Sequence, residues 1–257
     1  NVSKMWYNNV TKKEKKEDFM ATFQDFKLQD YCNEVIKELG FQKPTPIQEK
    51  VIPLVLKNRD IIGTSQTGTG KSHAFLLPIM SRIDVNKDCV QAVITAPTRE
   101  LATQLFNNAK TFTKYLPELR VSLIVGGSDR QRAVNKLSTQ PHVVIGTPGR
   151  IKDLSLDAQA LQITTAKTFV VDEADMTLEF GYLEDIDAVA GKMADDLQML
   201  VFSATIPQNL RPFLKKYMQS PVTIEIDSKL VTTANVEHIL LATKHQDRYD
   251  VLKKIMA

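Results

Sequence analysis

A glycine-rich segment, "GTSQTGTGKS" at residues 63–72, has residue types and a spacing that suit phosphate binding. When a glycine-rich turn leads into a helix, its backbone N–H groups point into a concavity where phosphate oxygens can accept hydrogen bonds. Lys71 could then place its ammonium group on the outer phosphates, and the Ser72 hydroxyl could contact Mg²⁺. Ser65 stands where the usual phosphate-loop pattern has glycine. A merely flexible linker is the alternative interpretation.

Three acidic residues lie in "FVVDEAD", residues 169–175, directly after an apolar run. Carboxylates at the end of a buried strand are costly unless they meet cations or hydrogen-bond donors. We therefore predict that Asp172 holds Mg²⁺, usually through water, and that Glu173 orients and deprotonates an attacking water molecule. The alternative is that these acids only cap the segment that follows.

A further run, "SAT" at residues 203–205, follows the next apolar segment. The hydroxyls of Ser203 and Thr205 could form hydrogen bonds with Asp175, which would connect a nucleotide site to a second binding surface. A simple cap before Pro207 remains the other interpretation.

A third group of segments offers backbone N–H groups at glycine turns or helix starts: "APTRELA" (96–102), "VGG" (125–127) and "TPGR" (147–150). Such donors suit contacts with a sugar-phosphate backbone, which position a strand without reading its sequence. The side-chain donors in these segments are Thr98, Arg99, Thr147 and Arg150. Ordinary salt bridges of the two arginines are the alternative.

The segment "GFQKPTPIQ", residues 40–48, predicts a helix start. Thr45 can act as N-cap, Pro46 suits the first helical position, and Gln48 completes a capping box. A glutamine side chain also presents a donor and an acceptor together, as adenine recognition requires. Gln48 is therefore either a cap or a base reader.

The composition of the 257 residues, 43% hydrophobic and 25% charged, is typical of soluble globular proteins. The net charge of +3 is compatible with nucleic-acid binding but too small to argue for it. Cys32 and Cys89 form no metal spacing and need no disulfide, which favours a reducing cytoplasm. No apolar run approaches the ~18 residues of a membrane span, so no membrane association is predicted.

Short apolar runs alternate with longer amphipathic segments from residue 60 onward. The predicted strands are residues 60–63, 91–96, 121–125, 143–146, 168–171, 199–203 and 222–226. The predicted helices are residues 71–83, 100–115, 130–137, 182–193 and 208–218. Several strands are apolar on both faces, so the pattern predicts an α/β fold with a doubly wound parallel sheet covered by helices. Ligands of such sheets bind beyond the carboxyl ends of the strands.

The chain divides into four predicted parts. Residues 1–19, with the mixed-charge run "TKKEKKED", are expected to be a tag or flexible extension before a natural start at Met20; a genuine N-terminal arm is the alternative. Residues 20–227 form the main domain and residues 228–235 a polar linker. Residues 236–257 read as the start of a second domain.

Taken together and in order, these segments resemble the DEAD-box RNA helicases. "GFQKPTPIQ" is similar to the Q motif, with Phe23 as the upstream aromatic residue, and "SQTGTGKS" is similar to motif I. "PTRELA", "GG", "TPGR", "DEAD" and "SAT" are similar to the motifs that follow. The residues of three segments most resemble those of the cold-shock-type members of Gram-positive bacteria: "SQTGTGKSHAFLLP", "DLQMLVFSATIP" and "PFLKKYM". Serine at 65 and 72, where alanine and threonine are commoner, is a mild departure.

The resemblance implies a RecA-like P-loop NTPase fold, the first of two helicase lobes, which uses ATP and Mg²⁺. It implies that Lys71, Asp172 and Glu173 are catalytic and that Ser72 and Asp172 hold Mg²⁺. The implied nucleotide-binding residues are Phe23, Phe41, Lys43, Gln48, Ser65, Gln66, Thr67, Gly68, Thr69, Gly70, Lys71 and Ser72. RNA would contact Pro97, Thr98, Arg99, Gly126, Gly127, Thr147, Pro148, Gly149 and Arg150. Asp175, Ser203 and Thr205 would couple the two sites.

The resemblance further implies a cytoplasmic, monomeric ATP-dependent RNA helicase that separates short duplexes. Its RNA contacts would show little sequence specificity, and ribosome-assembly or RNA-degradation proteins are possible partners. An ATP-gated RNA clamp or remodelling platform, and a DNA helicase with the same ATPase core, are the alternatives. No segment here matches the second lobe's "HRxGRxxR", so this chain alone is expected to have little activity.

Overall fold

The computed structural model describes residues 22–65, 68–127, 129–226 and residue 253. The chain divides into two compact units, residues 1–227 and 228–257, and all described residues except Lys253 lie in the first. The predicted extension at 1–19, the predicted linker and, apart from Lys253, the predicted second domain lie outside the described residues and stay predictions.

The described part of the chain contains one sheet of seven strands, all parallel, and each predicted strand is present with ends within one residue of the prediction. In chain order the strands are β1 (Ile61–Thr64), β2 (Ala92–Thr95), β3 (Val121–Ile124), β4 (Val143–Gly146), β5 (Thr168–Val171), β6 (Gln198–Ser203) and β7 (Val222–Glu225). Their order in the sheet is β3-β4-β2-β5-β6-β1-β7. The predicted parallel α/β fold is confirmed.

Alternate strand residues belong to two separate cores, one on each face of the sheet. On β6, Leu200 packs into one core, whereas Met199 and Val201 pack into the other. The first core includes residues of the helices Pro46–Leu56 and Lys71–Met80, and the second those of Leu183–Ala190 and Arg211–Tyr217. Helices therefore cover both faces, which explains why the strands lack a polar side.

The remaining α-helices are Asp30–Glu38, Arg99–Lys110, Arg130–Lys136, Pro148–Lys152 and Ala174–Glu179. Shorter 3₁₀ turns occupy Phe23–Phe26, Thr111–Lys114 and Gln208–Leu210, and a π-helical turn occupies Asp153–Asp157. No helix in the described ranges is long and apolar enough to cross a membrane.

Four predicted helices begin or end more than one residue from the prediction. Those predicted at 71–83 and 182–193 are shorter and end at Met80 and Ala190. The helix predicted at 100–115 becomes a 3₁₀ turn after Lys110, where the hydroxyl of Thr113 donates to the Lys110 carbonyl (2.8 Å). Such side-chain bonds to the backbone compete with regular helix geometry. The helix predicted at 208–218 starts as a 3₁₀ turn and becomes α-helical at Arg211–Tyr217, because Pro212 lacks an N–H and suits a helix start.

The strand order sorts the motif-bearing strand ends into two adjacent groups at one edge of the sheet. The glycine-rich, acidic and "SAT" segments follow β1, β5 and β6, which lie side by side as β5-β6-β1. The three donor-rich segments follow β2, β3 and β4, which lie side by side as β3-β4-β2. The pairing of β2 with β5 joins the groups.

Candidate active site and nucleic-acid interface

The glycine-rich loop forms a turn between β1 and the helix that begins at Lys71. Gly68 and Gly70 have φ of +79° and +94°, a left-handed conformation that glycine adopts without a steric penalty. Ser65 is buried, its N–H donates to the Ser203 carbonyl (3.2 Å), and its hydroxyl lies 3.2 Å from that of Thr69. Of the predicted phosphate-loop residues, Gln66 and Thr67 lie outside the described ranges.

Lys71 and Glu173 form a buried ion pair between the loop and the acidic segment. Nζ of Lys71 donates to Oε1 of Glu173 at 2.7 Å, with the two side chains only 6% and 10% exposed. Nζ also lies 3.4 Å from the Ser65 carbonyl oxygen. The structure therefore brings together the two groups predicted to act on a phosphate and on an attacking water molecule.

Asp172 lies beside this pair at the end of β5. Its backbone N–H donates to the Thr95 carbonyl (3.0 Å), and its Oδ1 accepts the N–H of Glu173 (3.1 Å). Burial raises the pKa of Asp172 to about 7, the neighbouring Glu173 adds to this effect, and the charge of Lys71 opposes it. A bound cation would stabilise the charged form of a carboxyl group in these surroundings, and this property suits a metal ligand.

The backbone at Glu173 is strained. Its φ of +48° and ψ of +56° lie in the left-handed region, which non-glycine residues seldom occupy. Glu173 is the N-cap of the helix Ala174–Glu179, and its carbonyl accepts both the N–H (2.9 Å) and the hydroxyl (3.1 Å) of Thr177. Strain of this kind persists where the surroundings fix the residue, and it occurs often at functional sites.

Gln48 serves the helix start and touches the glycine-rich loop at the same time. Its Oε1 accepts the N–H of Thr45 (2.9 Å), as the predicted capping box requires. The hydroxyl of Thr45 stands at the reciprocal position but lacks the alignment of a hydrogen bond, so this buried oxygen has no partner. Nε2 of Gln48 donates to the Gly70 carbonyl (3.3 Å). One Oε1 lone pair and one Nε2 hydrogen remain, the combination that adenine recognition uses.

Aromatic rings lie next to this helix start. Phe41 is half-buried and stacks on Phe23 (ring centroids 6.3 Å apart), while the ring edge of His73 meets it at 5.0 Å. Phe23 itself is buried, so it supports Phe41 from within the core. His73 was not anticipated, and burial lowers its pKa. Lys43 is exposed.

Asp175 connects the acidic segment to the "SAT" segment. Its N–H donates to Oγ of Ser203 (2.9 Å), and its Oδ2 accepts the N–H (3.0 Å) and the hydroxyl (3.2 Å) of Thr205. Burial raises the pKa of Asp175, but these bonds and that from the Met176 N–H outweigh burial and lower it. The predicted contact between the two segments is present.

A groove of about 720 Å³ runs along the other group of strand ends. Seven of the nine residues predicted to contact RNA line it: Pro97, Thr98, Arg99, Gly126, Thr147, Gly149 and Arg150. Gly127 and Pro148 are the immediate neighbours of lining residues. Thr98 caps the helix Arg99–Lys110 by accepting the Leu101 N–H (3.2 Å), so this helix start faces the groove.

The guanidinium group of Arg99 lies over the turn at Gly126 and Gly127. A Cβ added to Gly126 would lie 3.2 Å from its Nη2, and one added to Gly127 would overlap the guanidinium group. The two glycines therefore leave room for Arg99 at the groove wall. Gly127 also has a φ of +85°.

Arg150 takes part in an ion-pair network at the groove floor. Its Nη1 contacts Oδ2 of Asp153 (2.6 Å), whose Oδ1 also accepts from Nε and Nη2 of Arg130 at 2.9 and 2.8 Å. The salt bridge considered as an alternative for Arg150 is thus present. Asp153 is thus shared between Arg130 and Arg150.

Four residues that line the groove were not among the predicted contacts: the acidic Glu100 and Asp153, and the aromatic Phe180 and Tyr182. Only the aromatic pair has a signal in the sequence. The sequence signal was the arrangement aromatic–glycine–aromatic directly after the acidic segment. It was overlooked because aromatic residues at such spacing more often belong to a core.

Comparisons with known proteins match most of the chain. The model of the DEAD/DEAH box helicase family matches residues 45–213. The DEAD-box ATP-dependent RNA helicase CshB of Listeria monocytogenes is 53% identical over 237 residues, or 92% of this chain and 54% of the relative. CshB of Bacillus subtilis is 49% identical over 237 residues, or 91% of this chain and 54% of the relative.

A solved structure of a DEAD box protein from the hyperthermophile Methanococcus jannaschii is also similar. It has a TM-score of 0.75 and 30% identity, and the match covers 92% of this chain and 63% of that one. The chain spans about half the length of the curated relatives it matches.

Proposed function

Since the chain belongs to the DEAD/DEAH box helicase family, as its motifs predicted, we propose that it is the ATP-binding lobe of an ATP-dependent RNA helicase. The relatives are named as such enzymes and come from Gram-positive bacteria, in keeping with the predicted resemblance. RNA-stimulated ATP hydrolysis with local unwinding of short duplexes would be the activity of the whole protein.

The observation that supports this proposal most is the division of one sheet edge into two sites. The lysine that follows the glycine-rich loop pairs with the carboxylate of Glu173, next to Asp172, beyond β5-β6-β1, which suits a nucleoside triphosphate. A groove of backbone and guanidinium donors lies beyond β3-β4-β2, which suits a sugar-phosphate chain. Asp175, bonded to Thr205, lies on the nucleotide side and could transmit changes between the two sites.

In the nucleotide site, the described contacts must rearrange when a phosphate binds. Lys71 would exchange the carboxylate of Glu173 for phosphate oxygens, and Glu173 would then be free to orient a water molecule. Gln48 would offer its remaining acceptor and donor to adenine, with Phe41 stacking on the base. Because Gln48 is buried and touches Gly70, we expect the glycine-rich loop to move away as the nucleotide enters.

The donor set at Asp172 fits Mg²⁺. Within the described ranges, no group of three or more His, Cys, Asp or Glu residues could hold a metal alone. Mg²⁺ commonly uses one or two protein ligands and completes its shell with water and substrate phosphates. Asp172 and Ser72 would hold the ion, which would neutralise charge on the phosphates when bound.

The test is Glu173→Gln in the full-length protein. Glutamine can still accept from Lys71, so the buried ammonium keeps a partner, but it cannot take a proton from water. We expect the ATP turnover number to fall by a factor of about 100 or more. RNA binding that depends on ATP should persist. Turnover is measured by phosphate release and RNA binding by fluorescence anisotropy, each with saturating ATP.

The control is the neighbouring exposed substitution Glu179→Gln, which lies on the same helix and should leave turnover unchanged. Unchanged hydrolysis in Glu173→Gln would remove Glu173 from the role of base. The preference for RNA over DNA, the protein partners, the monomeric state and the cytoplasmic location stay predictions.

A further inference from the structure

Phe180 is an exposed aromatic residue on the wall of the groove. Two large hydrophobic side chains of the described residues are exposed, Leu39 at 37% and Phe180 at 54%, and only Phe180 lines the groove. A single exposed hydrophobic residue normally needs no explanation. This one lines the same groove as Arg99 and Arg150, whose guanidinium groups suit phosphates, although Glu100 and Asp153 line it too.

The position of Phe180 is fixed by the backbone beneath it. The helix Ala174–Glu179 closes at Gly181, which has a φ of +78°. The N–H of Gly181 donates to the Leu178 carbonyl (2.9 Å), and that of Tyr182 to the Thr177 carbonyl (3.0 Å). These bonds satisfy backbone carbonyl groups at the end of the helix and fix the positions of Phe180 and Tyr182 on either side of the turn.

Tyr182 supports the same wall from the side of the donor-rich segment "TPGR". A Cβ added to Gly149 would lie 3.8 Å from Cε1 of Tyr182, so the tyrosine ring packs against the helix start at 147–149. The rings of Phe180 and Tyr182 lie 6.5 Å apart and are tilted by 51°. Tyr182 is half-buried, whereas Phe180 projects further into solvent.

A sugar-phosphate backbone gains little from contact with an exposed aromatic ring, whereas an unpaired nucleobase can stack on one. Bases stack on aromatic side chains in grooves that bind single strands, whatever the base. We propose that Phe180, braced by Tyr182, is a stacking platform for one unpaired nucleobase of the strand in the groove. This inference rests on the proposed RNA-binding function, and Phe180 adds to the backbone contacts that function requires.

The first experiment uses tryptophan fluorescence. The chain contains one tryptophan, Trp6, so Trp6→Phe provides a background in which Phe180→Trp is the sole reporter. Titration with a ten-nucleotide oligouridine should quench this reporter, whereas a ribose-phosphate decamer without bases should bind and leave it unquenched. Equal responses to both oligomers would overturn stacking.

The second experiment compares affinities by fluorescence anisotropy for the parent chain, Phe180→Ala and the matched control Leu39→Ala. Phe180→Ala should weaken oligouridine binding about fivefold, the low end for loss of one stacked base. It should leave affinity for the abasic decamer unchanged, and Leu39→Ala should change neither. An equal loss for both oligomers, or no loss, would overturn the proposal and leave Phe180 as a surface for a protein partner.

The two proposals fail in different ways. If the parent chain binds both decamers but Phe180→Trp is not quenched, only the stacking platform is rejected and the groove keeps its backbone-binding role. If the full-length protein with saturating ATP binds neither decamer, the proposed RNA surface is rejected, and the platform with it.

Discussion

Lys71 and Glu173 each neutralise a charge that would be costly to bury alone. Removing one partner of a buried ion pair typically costs ~3–5 kcal/mol, because the other charge is left uncompensated. When a ligand replaces Glu173 as the partner of Lys71, the Glu173 carboxylate must therefore accept hydrogen bonds from water or another donor. At the scale of single residues, the ligand-free state is thus stabilised by the same two groups that would act on a bound phosphate.

Gln48 can be tested for base reading separately from capping. Gln48→Glu keeps an oxygen to accept the Thr45 N–H but removes the Nε2 donor. We expect it to reduce the preference for ATP over GTP by about tenfold, the value of one good base contact. The melting temperature should fall, because the Nε2–Gly70 contact is lost and a carboxylate is buried. Competition against a fluorescent adenine nucleotide measures the preference, and thermal unfolding measures stability.

The comparison is Gln48→Ala, which loses both functions. It should lower the ATP preference similarly and also reduce the free energy of unfolding by about 1 kcal/mol, as loss of a helix cap does. If Gln48→Glu keeps the full ATP preference, Gln48 is only a cap.

At the scale of secondary-structure elements, the position of the donor-rich segments at the carboxyl ends of the strands depends on close contact between β3 and β4. Gly146 pairs with Ile124 in this ladder, and a Cβ added to Gly146 would overlap the Ile124 carbonyl oxygen. Backbone cannot rotate away as a side chain can. Because Gly146 has no side chain, the donor-rich segment that begins at Thr147 can lie close to β3.

Gly146→Ala should therefore destabilise the chain by about 2 kcal/mol or more, since overpacking against backbone forces the ladder to open. Denaturation with urea measures the free energy of unfolding. The control Gly191→Ala has a φ of −66° and its nearest atoms at 3.3 Å, a tight contact that a small shift can relieve, so it should destabilise the chain less than Gly146→Ala. Equal stability of the two variants would contradict this role of Gly146.

The strands could be predicted because their burial on both faces leaves a continuous apolar run in the sequence. The helix ends were less well predicted, since Thr113 and Pro212 alter local geometry within segments that remain amphipathic. The sequence also could not indicate that Lys71 would pair with Glu173 without a ligand, because that contact depends on the order of β5, β6 and β1. Phe180 was missed because its exposure depends on the turn at Gly181.

At the scale of the whole molecule, the proposed function implies that this chain carries one face of each site. The sequence has no "HRxGRxxR" segment, whose arginines can contribute about 10³-fold or more to phosphoryl transfer in related mechanisms. Residues 1–257 alone should bind adenine nucleotide weakly and show little RNA-stimulated turnover. Phosphate release with and without RNA measures this, and the full-length protein is the positive control. Robust unwinding by residues 1–257 alone would contradict the proposed division of labour.

The helix Ala174–Glu179 starts at the strained Glu173 and ends at Phe180 in the groove, a length of about 9 Å at 1.5 Å per residue. A strand that moves Phe180 would act on the residue that holds Lys71. Such an influence is thermodynamically reciprocal: the factor by which the strand changes nucleotide affinity equals the factor by which the nucleotide changes strand affinity. If a small molecule displaced Phe180 on binding, its own affinity would consequently depend on whether ATP is bound.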